Sequence, residues 1–77
     1  IMKTYLIALT SITYAMKAQK ILKSMGYYCE IQRTPKNFST GCGYSIRVKG
    51  DLSEYLMILK DNNIKYLNTM EMGADFG

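Results

Sequence analysis

From Met2 to Thr10 apolar residues run almost without a break, through Tyr5, Leu6, Ile7, Ala8 and Leu9. A continuous run, rather than an alternating one, predicts a strand buried on both faces and therefore in the middle of a sheet. Ser11 then offers an N-capping hydroxyl. After it, Ile12, Ala15, Met16, Ala18, Ile21, Leu22 and Met25 recur every three or four residues until Gly26, which predicts an amphipathic helix with a glycine stop. Tyr27 to Thr34 switches to a period of two, with Tyr27, Cys29, Ile31 and Arg33 on one side and Tyr28, Glu30 and Gln32 on the other, and Pro35 closes this strand. Beyond a loop reaching Gly43, Tyr44, Ile46 and Val48 alternate with Ser45 and Arg47, and the two strands are expected to pair as a hairpin. Asp51 and Glu54 have capping-box spacing ahead of the stripe Leu52, Tyr55, Leu56 and Leu59, and Asn62-Asn63 ends that helix. Ile64 to Met70 reads as the last strand, and residues 71–77 as a loosely ordered tail or an arm to a partner.

The order β-α-β-β-α-β predicts an α+β fold. Right-handed crossovers close it most readily into the ferredoxin-like split βαβ, a four-stranded antiparallel sheet with two helices on one face. One domain over residues 1–77, with its core in about residues 2–70, suits a chain this short, because a domain of about 60 residues buries only about 60% of its unfolded surface. Hydrophobic residues make up 48% and charged residues 21% of the chain, too apolar a balance for a disordered segment.

Composition narrows the chemistry. With no histidine and two cysteines, one chain cannot assemble a four-ligand zinc site, a Ser/His/Asp set or a Cys-x-x-Cys pair. Neither a metal nor another cofactor is expected, and cysteine-centred transfer is the familiar chemistry that remains. The run Tyr5 to Leu9 is far too short to span a bilayer, so we expect a cytoplasmic protein with no membrane partner. A net charge of +4, with Lys17, Lys20 and Lys23 in one stretch, suits nucleic acid, an anionic small molecule or an acidic protein, although lysines at helical spacing are ordinarily a solvated face.

The densest signal is Ser39-Thr40-Gly41-Cys42-Gly43, a thiol framed by two glycines with hydroxyls before it. Glycines leave a neighbouring side chain uncovered, which would present Cys42 as a nucleophile; alternatively they shape the hairpin loop and Cys42 is a passive small hydrophobe. In the expected topology this loop meets the start of the first helix at Ser11, Ile12 and Thr13. The N-terminal end of a helix dipole lowers a thiol pKa from about 8.5 toward roughly 3.5–7.5, and Arg33 and Lys36 would add positive charge. The same N–H groups would equally hold a small anion, a reading that needs no chemistry at the sulfur. Cys29, mid-strand on the expected buried side, reads as core filler. It lies about five residues along the strand from the loop, on the order of 16 Å at ~3.3 Å per residue, whereas a disulfide needs Cα atoms within about 7 Å.

The chain resembles a family of small bacterial domains described as selenium/sulfur carrier-like proteins. The resemblance runs over nearly its whole length: the opening strand, the helix ending Lys20-Ile21-Leu22-Lys23-Ser24-Met25-Gly26, the loop from Thr34-Pro35 to Ser39, Cys42 and Gly43, the Asp51-Leu52-x-Glu54 helix start, and Ile64 opening the final strand. It implies a carrier whose Cys42 takes sulfur or selenium as a persulfide or selenosulfide from a donor protein of the cysteine desulfurase kind and passes it to an acceptor protein.

Two other classes compete. An RNA-binding module would stack bases on the open sheet face, but Gly43 to Val48 holds one aromatic residue and lacks the Lys/Arg-Gly-Phe-like run of RNA-recognition strands, so nucleic acid ranks low as a partner. A non-catalytic interaction or small-anion-binding module, homodimeric through its sheet, is the main alternative to the carrier.

Overall fold

The computed structural model describes residues 3–35 and 43–74. Its elements follow the order β1 (Lys3–Leu9), α1 (Ile12–Ser24), β2 (Glu30–Arg33), β3 (Tyr44–Lys49), α2 (Leu52–Asp61) and β4 (Tyr66–Ala74). The strands form one antiparallel sheet in the order β2-β3-β1-β4, so the expected ferredoxin-like α+β fold is the observed one. β1 pairs with strands on both sides, and Leu6 to Leu9 are fully buried, as their unbroken apolar run requires.

One face of the sheet meets the helices. Ile7 and Leu9 of β1 and Ile46 and Val48 of β3 join Ala15, Ala18 and Leu22 of α1 and Tyr55 and Leu59 of α2 in a single core. Tyr44 packs against this core as well. Strand alternation therefore leaves Ser45, Arg47 and Lys49 as the residues β3 turns to the other face, where Lys49 Nζ lies 4.8 Å from the centroid of the Tyr28 ring.

Local chemistry sets the helix ends. Ser11 Oγ accepts from the Tyr14 N–H at 3.2 Å, and Asp51 Oδ1 accepts from the Ser53 N–H at 3.0 Å. The Glu54 carboxylate, three residues after the Asp51 cap, accepts from Tyr27 Oη at 2.9 Å and so ties α2 to the exit of α1. Both helices end in Schellman turns: Tyr27 N–H donates to Leu22 O and Ile64 N–H to Leu59 O, each at 2.9 Å, with Gly26 at φ +86° and Asn63 at φ +58°.

The pattern overreached in three places. Ile12, Met16 and Met25, counted in the apolar stripe of α1, are exposed; the fully buried line is Ala15, Ala18 and Leu22, with Ile21 partly buried against the core beside it. β2 starts at Glu30 rather than Tyr27, because side chains satisfy the preceding carbonyls: Tyr55 Oη donates to Tyr28 O at 2.7 Å and Gln19 Nε2 to Cys29 O at 3.2 Å. β4 starts at Tyr66 and continues to Ala74, so residues 71–74 of the expected tail are paired strand. Glu71, Gly73 and Ala74 lie opposite Tyr5, Thr4 and Lys3, giving the outer edge of β1 its hydrogen-bond partners. Residues 75–77 lie outside the described residues.

Tyr55 also donates to Lys49 O at 3.2 Å, and its ring packs edge-on to Tyr27 with centroids 5.2 Å apart. Replacing Tyr55 with Phe keeps the ring but strips the donor from two part-buried carbonyls. Chemical denaturation should show a loss of about 1–3 kcal/mol; unchanged stability would mean that water reaches both carbonyls.

Candidate functional site

The strand register decides which ends of the elements meet. Ala8 pairs with Ser45 and Arg33 with Tyr44, and Thr34 N–H donates to Gly43 O at 2.8 Å. The end of β1, the Ser11 cap that follows it and both described ends of the β2–β3 connection therefore lie along one rim of the sheet. At that rim Ser11 is half-buried, whereas Ile12 and Thr13 are exposed in the first turn of α1. Ser39, Thr40, Gly41 and Cys42, and with them Lys36, lie outside the described residues.

Two contacts hold the base of that connection. Thr34 Oγ1 and Ser45 Oγ share a hydrogen bond across the hairpin, with Ser45 fully buried. The Arg33 guanidinium lies over the Tyr44 ring, 5.3 Å from its centroid. A Cβ placed on Gly43 would meet Arg33 Nη1 at 3.8 Å, so this charge sits beside the residue that follows Cys42 in the chain. That distance is an ordinary contact, and Gly43 is not among the glycines with positive φ, so neither space nor backbone angle demands glycine there. Hairpin pairing of the two predicted strands already sets Arg33 opposite Tyr44. The Thr34–Ser45 pair was missed, although two hydroxyl residues flanking a hairpin loop were a usable signal.

Cys29 is a fully buried free thiol within the core. Desolvation, helped by the adjacent Glu30 and only partly opposed by Lys23, pushes its pKa up to about 12. A thiol in that state is neither nucleophile nor leaving group near neutrality, which fits core filler. Lys23, one of the three clustered lysines, is 3.7 Å from Glu30, and all three are exposed on α1.

No helix among the described residues is long and apolar enough to cross a membrane. The fold and rim together define a small ferredoxin-like module in which the described ends of the β2–β3 connection, Thr34 and Gly43, share a rim with the start of α1. A family model described as "Putative Se/S carrier protein-like" matches residues 4–71, and the chain belongs to that family. No curated protein and no solved structure gives a significant match.

Proposed function

We propose that this protein carries sulfur or selenium on Cys42, receiving it from a donor protein of the cysteine desulfurase kind and relaying it to an acceptor protein in the cytoplasm, where other thiols stay reduced. The observation that carries this reading is the family match, which spans the Ser39-Thr40-Gly41-Cys42-Gly43 segment. Three features support it. The chain has two cysteines, and burial removes Cys29 from service. The described ends of the Cys42 loop share a rim with the first turn of α1, whose free N–H groups favour a thiolate. Arg33 adds a fixed positive charge at the loop's exit.

The chemistry balances without an external oxidant. The Cys42 thiolate attacks the outer sulfur of the donor persulfide; a new S–S bond forms, the donor's S–S bond breaks, and the donor cysteine leaves as thiolate. Delivery repeats the exchange, with an acceptor nucleophile attacking the outer sulfur and Cys42 leaving. A carrier of this kind must lack a nearby resolving thiol, which would release the cargo as a disulfide forms. Selenium would travel through the corresponding selenosulfide.

Incubation with a cysteine desulfurase and cysteine, followed by intact-mass measurement, tests this directly. The wild-type chain should gain one sulfur atom that reductant removes, Cys29→Ser should load equally, and Cys42→Ser should gain nothing. Unmodified wild type beside an active desulfurase would leave the small-anion or interaction-module reading in its place.

A further inference from the structure

A groove of about 650 Å³ opens where α2 hands over to β4. Leu56 and Met57 of α2 form one wall, Tyr66 the other, and Ile64 the floor. The Schellman turn through Asn63 creates it, because the positive φ there swings the chain outward while returning Ile64 to the core. The charged side chains lining the groove, Lys60 and Lys65, are both cationic, and among the described residues neither is in an ion pair. An apolar trough with a positive rim is complementary to a bulky apolar side chain flanked by carboxylates.

Its place in the fold gives this complementarity a use. Tyr66 pairs with Leu9, so the groove opens at the rim where α1 begins and where the Cys42 loop is anchored. Only β1 separates β4 from β3, which puts the groove about 10 Å along the rim from the loop's base at strand spacings of about 4.8 Å. A standard interface of about 800 Å² per partner covers both. The groove walls are themselves open, with Met57 63% and Tyr66 41% exposed, and apolar exposure extends beyond the lining to Leu67 at 45% and Ile12 at 38%. A small ligand would account for the cavity but not for this strip, whereas a protein segment accounts for both.

We propose that the α2–β4 groove is the docking site for a partner protein that exchanges sulfur with Cys42, and that it accepts an acidic segment centred on bulky apolar residues. This rests on the carrier reading for the partner's role, but binding at the groove is measurable by itself. The probe is a blocked peptide with a Leu-Phe pair flanked by two acidic residues on each side, and its control carries lysines in place of the acids. Titrated into isotope-labelled full chain, the acidic peptide should shift backbone NMR signals of residues 56–57 and 60–66 in a saturable way, and the basic control should not. The double variant Lys60→Glu/Lys65→Glu should lose about tenfold or more in affinity, and Lys60→Gln/Lys65→Gln a smaller amount, with circular dichroism unchanged. Cys42→Ser should bind the peptide as wild type does. Shifts that are absent up to millimolar peptide, lie on another surface or are equal for the basic control overturn the docking site even if sulfur loading succeeds. Normal peptide binding with no sulfur loading instead removes the carrier reading and leaves the groove.

Discussion

At pH 8 the native protein should take up one iodoacetamide, at Cys42, while Cys29 reacts at least about a thousandfold more slowly than a free cysteine. The reagent needs thiolate. A thiol of pKa about 8.5 is roughly one quarter ionised at that pH, against about one part in ten thousand for Cys29 at a pKa of about 12. Closure adds to this, because Cys29 has no exposed surface and local or global opening must precede attack. Cys42→Ser should therefore stay unlabelled until denatured. Mass spectra taken along the time course check this, and a second label at a comparable rate on the native chain would contradict the buried position of Cys29. The same shift has a pH signature. Since the folded pKa lies above the unfolded one, the stability tied to the neutral thiol is complete below about pH 8.5 and is lost as pH climbs toward about 12. Tyr55, whose pKa is raised chiefly by burial, acts in the same direction.

Leu22→Ala should be the most damaging of the conservative truncations in α1. Ala15 and Ala18 contribute little volume, so Leu22 is the large side chain through which the buried line of α1 holds the sheet. Emptying such a site costs about 2–5 kcal/mol, whereas a domain of this length has roughly 4–12 kcal/mol in total at 0.05–0.15 per residue. The melting temperature should fall by about 10 °C or more. Met16→Ala, nearly two turns away on the exposed face, should change stability by no more than about 0.5 kcal/mol. Thermal unfolding by circular dichroism distinguishes the two, and equal losses would mean that α1 turns a different face to the sheet.

Where a signal was local, it was legible. The Ser11 and Asp51 caps and the Gly26 and Asn63 stops are each written within about five residues of where they act, and each is found in place. The unbroken run Leu6 to Leu9 announced a central strand because burial on both faces leaves no position for a polar residue. Errors came where a distant partner decides the outcome. Met16 and Met25 satisfy helical periodicity as well as Leu22 does, but the width of the sheet covers only one narrow line of α1. Tyr27 to Cys29 alternate as a strand does, yet Tyr55 and Gln19, far away in sequence, take the carbonyls that a ladder would have used. The candidate site divides the same way: Ser39 to Cys42 are a reading of the sequence and lie outside the described residues, while the placing of Thr34 and Gly43 on the rim where α1 begins follows from register.

The amino-acid sequence by itself determined the element order, the helix ends and the family, since these depend on near neighbours, backbone geometry and residue type. Only the tertiary structure decided which apolar residues stay exposed, how far β4 extends along β1, how completely Cys29 is shielded and that a cationic groove opens on the rim of the loop. Those outcomes arise from surfaces brought together across tens of residues of chain, and periodicity along one segment has no information about what will be packed against it.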